Sequence, residues 1–178
     1  MTKIVQKDAA VLREVAKEVP VAEITAPKFQ KIIKEMKEAL EKESDGVAIA
    51  APQIGYSWRI FVISKRLPIF EEKEKPEEEQ DINIKALPED LVFINPKITK
   101  RSKKTRLIPE GCLSVRWFYG EVKRSVKCTV RAYNEHGKCN EFDGNGLLAQ
   151  AFQHEIDHLD GALFIDKAIN LKEFKPEK

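Results

Sequence analysis

The residues with the most distinctive chemistry are His154-Glu-Ile-Asp-His158, in which two histidines lie four positions apart with a glutamate beside the first. On a helix this spacing places both imidazoles on one face, one turn apart, so that they can bind the same metal ion. Glu155 could then take a proton from a water that the metal activates, without being a ligand itself. The spacing predicts a metal site for hydrolysis, with two ordinarily hydrogen-bonded histidines as the alternative.

A catalytic metal site also needs a third protein ligand and one open position for water. Cys112, within a Glu-Gly-Cys-Leu-Ser segment, is the favoured candidate, because a thiolate is a strong ligand for first-row divalent ions. Asp166, shortly after the histidines, and His136, in a predicted turn, remain open as alternatives.

A run of small residues, Gly46-Val-Ala-Ile-Ala-Ala-Pro-Gln53, is the third segment that could take part. A substrate could lie along its backbone, and Gln53 carries an uncharged amide that can donate a hydrogen bond to a developing oxyanion. The alternative is a helix end that runs into a packed turn. Taken alone, the segment favours this alternative.

Hydrophobic periodicity predicts the elements that must position these residues. After Asp143-Gly-Asn-Gly146 the pattern is that of a helix with apolar residues almost all round, which places His154 and His158 in the middle of the protein. An amphipathic helix at residues 27–44, preceded by a shorter one around 10–15, forms a predicted N-terminal arm.

Strands are predicted between the two helical regions. An unbroken apolar run at residues 59–64 indicates a strand buried on both faces, and another strand at 91–95 is expected to end at Pro96. Residues 126–133 alternate between apolar and polar side chains, and Asn134-Glu-His-Gly137 supplies a turn, which predicts a hairpin. Helices and strands do not alternate regularly, so the sequence indicates an α+β fold with antiparallel sheets around the central helix.

Two charged segments are predicted to lie outside the core. Residues 71–81 contain seven acidic residues and two lysines, a local charge of −5, and are interpreted as an exposed insertion. Residues 97–106 hold six basic residues and no acidic one. They are interpreted as a solvated strand or loop, with an RNA-binding surface as the alternative.

The composition of the 178-residue chain matches one globular domain covering residues 1–178, with 42% hydrophobic and 34% charged residues. A net charge of +2 implies no general attraction to nucleic acid or membranes. No apolar run is long enough to span a bilayer, and no secretory or transit signal is recognisable, so a cytoplasmic location is expected. Three cysteines are too few for a disulfide scaffold, and Cys128 and Cys139 are interpreted as structural.

The three chemical segments, in this order, resemble the motifs of peptide deformylase, which removes the formyl group from the N-terminal formylmethionine of nascent polypeptides. The family motifs are Gly-x-Gly-x-Ala-Ala-Pro-Gln, Glu-Gly-Cys-Leu-Ser and Gln-His-Glu-x-Asp-His, and this chain has the second and third complete. The resemblance extends from about Val5 to Asp166. Two positions depart from it: Ala48 replaces the second glycine, which could narrow the groove, and Arg116-Trp117 stands where a proline is common.

The resemblance implies a role for each candidate residue. Cys112, His154 and His158 would bind one divalent metal ion, with water as the fourth ligand; Fe²⁺ is the implied native metal, replaceable by Ni²⁺, Co²⁺ or Zn²⁺. Glu155 would carry the proton between water and the leaving amine. The oxyanion would be held by the metal, the Gln53 side chain and the backbone N–H of Leu113. The candidate substrate-binding residues are Gly46, Ala48 and Ile49.

The implied partners are N-formylmethionyl peptides of nascent chains and, through the basic segment, the ribosome, without a specific nucleic-acid sequence and without a membrane. Two other classes of function remain as alternatives. A metallopeptidase with the same His-Glu-x-x-His helix would cleave internal peptide bonds. A nucleic-acid-binding module would use residues 97–106 to bind RNA and keep the metal as a structural element.

Overall fold

The computed structural model describes residues 2–76 and 85–174, and within them helices pack on both faces of an antiparallel sheet. Three α-helices are present in this part of the chain: α1 (Pro27–Lys42), α2 (Leu67–Lys73) and α3 (Gly146–Leu159). The strands are β1 (Ala48–Ala50), β2 (Ile60–Ile63), β3 (Leu91–Arg101), β4 (Thr105–Glu110), β5 (Phe118–Ser125), β6 (Lys127–Tyr133), β7 (Cys139–Asn145) and β8 (Ile169–Glu173).

The larger sheet has the strand order β1-β2-β3-β6-β7, with every neighbouring pair antiparallel. Strand β2 is buried on both faces, as its unbroken apolar run predicts. Ile60 and Val62 belong to the core cluster beneath α1, whereas Phe61 and Ile63 belong to the cluster beneath α3. The two helices therefore cover opposite faces of this sheet, and α3 occupies the central position that its sequence predicts.

The N-terminal arm is less helical than expected. Helix α1 buries the predicted apolar stripe, but the shorter helix before it is only a 3₁₀ segment, Ala10–Arg13. The buried side chains of α1 are those of Phe29, Ile32, Ile33, Met36, Ala39 and Leu40.

A second sheet, of order β4-β5-β8, completes the fold and frames the cysteine segment. The turn between β4 and β5 contains Cys112, and the end of β4 supplies Glu110. The α+β architecture with antiparallel sheets around a central helix is therefore as predicted.

The prediction that Pro96 ends a strand is wrong, because β3 continues to Arg101. The pairing of β3 with β6 shifts register between Ile94 and Lys97, and Asn95 adopts a φ of 51° at this point. The irregularity removes the need for the N–H that proline lacks. The Asn95 side chain bonds the N–H and C=O of Val19, both at 2.8 Å.

The acidic segment is not wholly an exposed insertion. Residues 71–73 form the end of α2, and Glu72 is only 8% exposed. Glu71 accepts a hydrogen bond of 3.1 Å from the N–H of Leu147, in the first turn of α3, where a carboxylate is favoured by the helix dipole. Residues 77–81 of the predicted insertion lie outside the described residues.

The cysteines interpreted as structural differ from one another. Cys128 is buried on β6, as predicted, whereas Cys139 is exposed at the start of β7 and does not belong to the core. The helices in the described part of the chain include none that is long and apolar enough to cross a membrane.

Candidate active site

Three side chains from two distant segments converge at one point. Cys112, His154 and His158 each present a ligand atom, and these atoms all lie within 4.8 Å of one another. Cys112 Sγ is 3.2 Å from Nε2 of His158. A thiolate with two imidazoles is a donor set suited to a first-row divalent cation, and it leaves a position for solvent in a tetrahedral site.

The two alternative third ligands lie elsewhere. Asp166 accepts a 2.6 Å hydrogen bond from Arg13 and another from the N–H of Leu163. His136 lies in the exposed turn between β6 and β7. Of the three candidates that the sequence left open, the fold brings only Cys112 to the histidines.

His154 is oriented by a buried carboxylate. Its Nδ1 lies 2.9 Å from Glu110 Oε2, which directs Nε2 toward the cysteine and the cavity. Arg124 donates two further bonds to Glu110, at 2.7 and 2.9 Å, and one of 2.6 Å to Asp157. Burial alone would raise the pKa of Glu110, but the hydrogen bonds from Arg124 and His154 lower it to about 2. The carboxylate that orients His154 therefore stays ionised.

The two imidazoles have different electrostatic environments. Burial, together with the neighbouring His154, lowers the pKa of His158 well below its usual value, which keeps the ring in the neutral form that binds metals. Burial also opposes protonation of His154, but hydrogen bonds to Cys112 and Glu110 outweigh it and raise its pKa. A proton on this ring is the one that a cation would displace on binding.

Glu155 is a buried carboxyl group with one orphaned oxygen. Its side chain is 3% exposed, and Oε2 has no hydrogen-bond partner among the described residues. Burial raises the pKa of Glu155 to about 7, although His154 opposes the shift. A group of this kind in a cavity can exchange a proton near neutral pH.

Gln53 is fixed so that its amide nitrogen faces the cysteine. Its Oε1 accepts a 2.8 Å bond from the N–H of Ala50, and this contact decides which end of the amide is oxygen. Nε2 then lies 3.2 Å from Ser114 Oγ and 3.5 Å from Cys112 Sγ. The small-residue segment forms β1 and a 3₁₀ turn that together hold this donor beside the candidate ligands.

Steric crowding explains why the residue before Cys112 is a glycine, Gly111. A Cβ on Gly111 would lie 2.7 Å from Cε1 of Tyr119, so only glycine allows this ring to pack against the Cys112 turn. Tyr119 also lines the neighbouring cavity.

A cavity of about 320 Å³ opens beside the three convergent side chains. Gly46 and Ala48 line it, together with Val47, but Ile49 does not: its side chain is fully buried in the core beneath α1. The other residues at its wall include Gln53, Cys112, Leu113, Trp117, Phe118, Leu147, His154 and Glu155.

Sequence reasoning did not identify the residues that support the ligands. Arg124 lies fourteen positions after Glu110, on a different strand, and the two meet because β4 and β5 are paired. The only available signal was an arginine within an otherwise apolar-alternating strand, which is common on protein surfaces. Asp157 is part of the histidine motif, but its partner could not be read from the spacing.

The family model described as polypeptide deformylase matches residues 1–174. A curated peptide deformylase of Desulforudis audaxviator is 38% identical over 169 residues, covering 95% of this chain and 94% of the relative. The crystal structure of peptide deformylase from Thermotoga maritima has a TM-score of 0.76 at 32% identity, covering 95% of this chain and 98% of that one.

Plant relatives are longer than this chain. The chloroplastic peptide deformylase 1A of Solanum lycopersicum is 39% identical over 168 residues, which are 94% of this chain and 59% of the relative. The corresponding protein of Arabidopsis thaliana is described as chloroplastic and mitochondrial, and this chain covers 62% of its length. The chain thus spans about three fifths of these two relatives.

Proposed function

The chain belongs to the polypeptide deformylase family, and from this premise we propose that it is a metal-dependent hydrolase that removes the formyl group from the N-terminal formylmethionine of nascent polypeptides. The proposal rests chiefly on the convergence of Cys112, His154 and His158 beside a cavity that contains Glu155. It is tested by measuring formate release from formyl-Met-Ala-Ser by the purified, metal-loaded chain. Cleavage of unformylated casein in place of formate release would favour a metallopeptidase.

The ligands of the metal would be Cys112, His154 and His158. A bound divalent cation would supply Lewis-acid activation of water and of the formyl carbonyl. The donor set fits such an ion, since the thiolate and both imidazoles approach one point and Glu110 holds His154 in the tautomer that leaves Nε2 free. Water and the formyl oxygen would reach this point from the cavity.

Glu155 is proposed as the proton carrier. A cation beside it favours the ionised carboxylate, so the residue begins as a base and takes a proton from the attacking water. The same oxygen then returns the proton to the methionine nitrogen as the C–N bond breaks, and formate and a free amine leave. Burial matches this role, because it strengthens the electrostatic interaction of the carboxylate with the reacting groups.

The oxyanion that develops on the formyl oxygen is proposed to receive hydrogen bonds from Nε2 of Gln53 and from the N–H of Leu113. Gln53→Ala should lower kcat about 100-fold while the protein stays folded and metal-loaded, because one preorganised donor is lost. The check is steady-state formate release together with metal analysis. Gln30→Ala, a glutamine on α1 far from the cavity, is the matched control and should retain wild-type kcat. A loss of less than about threefold in Gln53→Ala would exclude Gln53 as a donor.

The substrate backbone is proposed to lie along Gly46 and Ala48, with the methionine side chain in the cavity. Ala48 has one methyl group more than the family's usual glycine, and we propose that this methyl group narrows the groove. Ile49 would contribute through its backbone, since its side chain faces the core.

Fe²⁺ is proposed as the native metal. We expect the iron-loaded chain to lose activity in air within hours, and the nickel-loaded chain to keep it, because a ferrous ion beside a thiolate is open to oxidation. Formate release is followed for both forms in air and under nitrogen. Equal half-lives of the two forms in air would contradict this expectation. A thiol outside a disulfide and a ferrous ion both persist in a reducing compartment, and we propose a cytoplasmic location on this ground.

The ribosome is proposed as a partner through the turn that joins β3 and β4. This turn and its flanks expose five cations and pack against the start of β6 through a 2.9 Å bond from Ser102 N–H to the Lys127 carbonyl. Phosphate groups of RNA would release counterions on binding such a surface. The exposed cations are those of Lys100, Arg101, Lys103, Lys104 and Arg106.

We expect the chain to co-sediment with ribosomes at low salt and to lose this association as salt increases, in proportion to the number of phosphate contacts. Reversing the charges of Lys100, Lys103 and Lys104 to glutamate should abolish co-sedimentation while formate release from a short peptide stays unchanged. The control carries the same three reversals on α1, at Lys31, Lys34 and Lys42, and should still pellet. Absence of wild-type co-sedimentation at low salt would remove the ribosome as a partner.

A further inference from the structure

Arg116 forms a clamp of hydrogen bonds with two carboxylates at the mouth of the cavity. Its Nη1 donates to Asp45 Oδ2 at 2.7 Å and its Nη2 donates to Glu43 Oε2 at 2.5 Å, with a longer contact of 3.3 Å from Nη2 to Asp45 Oδ1. The hydrogen bonds from Arg116 lower the pKa of Asp45, so the pair is fully charged at neutral pH. A planar guanidinium can engage both partners at once, which the single ammonium of lysine cannot.

The clamp joins two walls of the cavity that are far apart in sequence. Arg116 lies at the end of the turn that carries Cys112, whereas Asp45 immediately precedes Gly46, where the wall of small residues begins. Both Asp45 and Arg116 line the cavity. The separation of the two walls sets the width of the groove in which the peptide backbone is proposed to lie.

The turn that carries Glu43 and Asp45 also accepts hydrogen bonds from Arg66. Nη2 of Arg66 donates to the carbonyls of Glu43 at 2.9 Å and Leu40 at 3.2 Å, with the Gly46 carbonyl at 3.5 Å. A Cβ on Gly46 would lie 2.9 Å from Cδ1 of Leu40, so the backbone packs directly against the end of α1. Because this turn is fixed to α1, the side chain of Arg116 joins the Cys112 turn to it directly, beside the contacts that Gln53 makes with Cys112 and Ser114.

We propose that Arg116 is a positioning residue for the peptide substrate, which holds the Cys112 turn and the Gly46 wall at the separation that the peptide backbone requires. The inference rests on the proposed deformylase function and deepens it. Arg116 occupies a position where the family commonly has proline, so the clamp is a feature of this chain's own sequence. The guanidinium is bonded to carboxylates and does not take part in the reaction itself.

The first test separates binding from chemistry. Arg116→Ala should raise KM for formyl-Met-Ala-Ser about fivefold and leave kcat within about twofold, because the clamp acts on the groove and contributes no more than an exposed ion pair usually does. Arg116→Lys should recover only part of the loss. Arg131→Ala, an exposed arginine on β6, is the matched control and should change neither parameter.

Combined variants test whether Glu43 and Asp45 are the partners through which Arg116 affects KM. The double variant Glu43→Gln and Asp45→Asn should raise KM as much as Arg116→Ala does, and adding Arg116→Ala to it should raise KM no further. Metal content and thermal stability are measured for each variant, and both should match the wild type. A fall in kcat with KM unchanged, or additive effects of the three changes, would overturn the proposal.

A second readout does not depend on catalysis. In the metal-loaded chain, Arg116→Ala should accelerate amide hydrogen exchange in both walls, at residues 43–48 and 112–118, whereas Arg131→Ala should not. Unchanged exchange at 43–48 would show that Arg116 does not hold this wall. If the wild-type chain released no formate, the proposed function would fail, and the exchange measurement alone would then decide whether the clamp couples the two walls.

Discussion

Replacing Glu155 with glutamine should reduce kcat about 1,000-fold while the chain continues to bind one metal ion. Glutamine keeps the volume of the side chain but can neither take a proton from water nor return it to the leaving amine. A positioned general acid–base group typically contributes between about 100-fold and 10,000-fold, and the proton is transferred twice in this reaction. Burial raises the pKa of Glu155 and a bound cation would lower it again, so the two effects oppose each other at this carboxyl group.

The measurement is single-turnover formate release, with metal content determined on the same samples. Glu38→Gln, on the exposed face of α1, serves as the control for the loss of one carboxylate and should behave as the wild type. KM should change little in Glu155→Gln, because the carboxyl group acts on water and the leaving nitrogen. If the variant kept more than a tenth of the wild-type kcat, Glu155 would not be the proton carrier.

Replacing Cys112 with alanine should abolish formate release and weaken metal binding about 100-fold. Structural metal sites with four ligands are stabilised by about 10–16 kcal/mol, so the loss of one strong ligand costs about 3 kcal/mol. The thiolate also carries the negative charge that balances the cation, and both neighbouring ligands are neutral imidazoles. Removal of Cys112 would leave the cation with two protein donors, which is too few to hold a catalytic ion in place.

The chain offers two matched controls for this variant. Cys128→Ala removes a thiol that is buried on β6, and Cys139→Ala removes one that is exposed on β7. Both should keep the metal and most of the activity, with Cys128→Ala reducing stability because of the small cavity that it creates. Retention of metal and activity in Cys112→Ala, or their loss in Cys139→Ala, would contradict the assignment of the sulfur ligand.

The parts of the fold that the sequence predicted are those governed by local periodicity. Helix α3 and strand β2 are each specified by a run of apolar residues, and the i, i+4 spacing of the histidines follows directly from helical geometry. Chemistry favoured Cys112 as the third ligand before any contact was known, since a thiolate binds divalent metals well. In these cases the prediction depends only on the types and spacing of a few neighbouring residues.

The supporting contacts could not be predicted, because they depend on strand register and on contacts between distant segments. Arg124 and Glu110 lie on the paired strands β4 and β5, where Glu110 is opposite Gly120, and Arg116 reaches Asp45 across a sequence separation of 71. Strand β3 continues past Pro96, contrary to the prediction, because a register shift in its pairing with β6 accommodates a residue without an N–H.

The prediction that residues 71–81 form an exposed insertion is wrong in part for a related reason. Its composition correctly indicates charge that cannot enter a core, but composition does not show that a single carboxylate is needed elsewhere. Glu71 finds the N–H of Leu147 at the start of α3, where the helix leaves donors unsatisfied. A helix terminus in another part of the chain thus stabilises a charge that the local pattern places in solvent.

The central claim is that one thiolate and two imidazoles bind the same cation, and X-ray absorption spectroscopy of the zinc-loaded chain tests it most directly. The measurement uses a variant in which Cys128 and Cys139 are both alanine, so that Cys112 is the only thiol of the chain's three that remains. We expect one sulfur at about 2.3 Å and two imidazole nitrogens at about 2.0–2.1 Å from the metal. A coordination shell that contains only nitrogen and oxygen would contradict the claim.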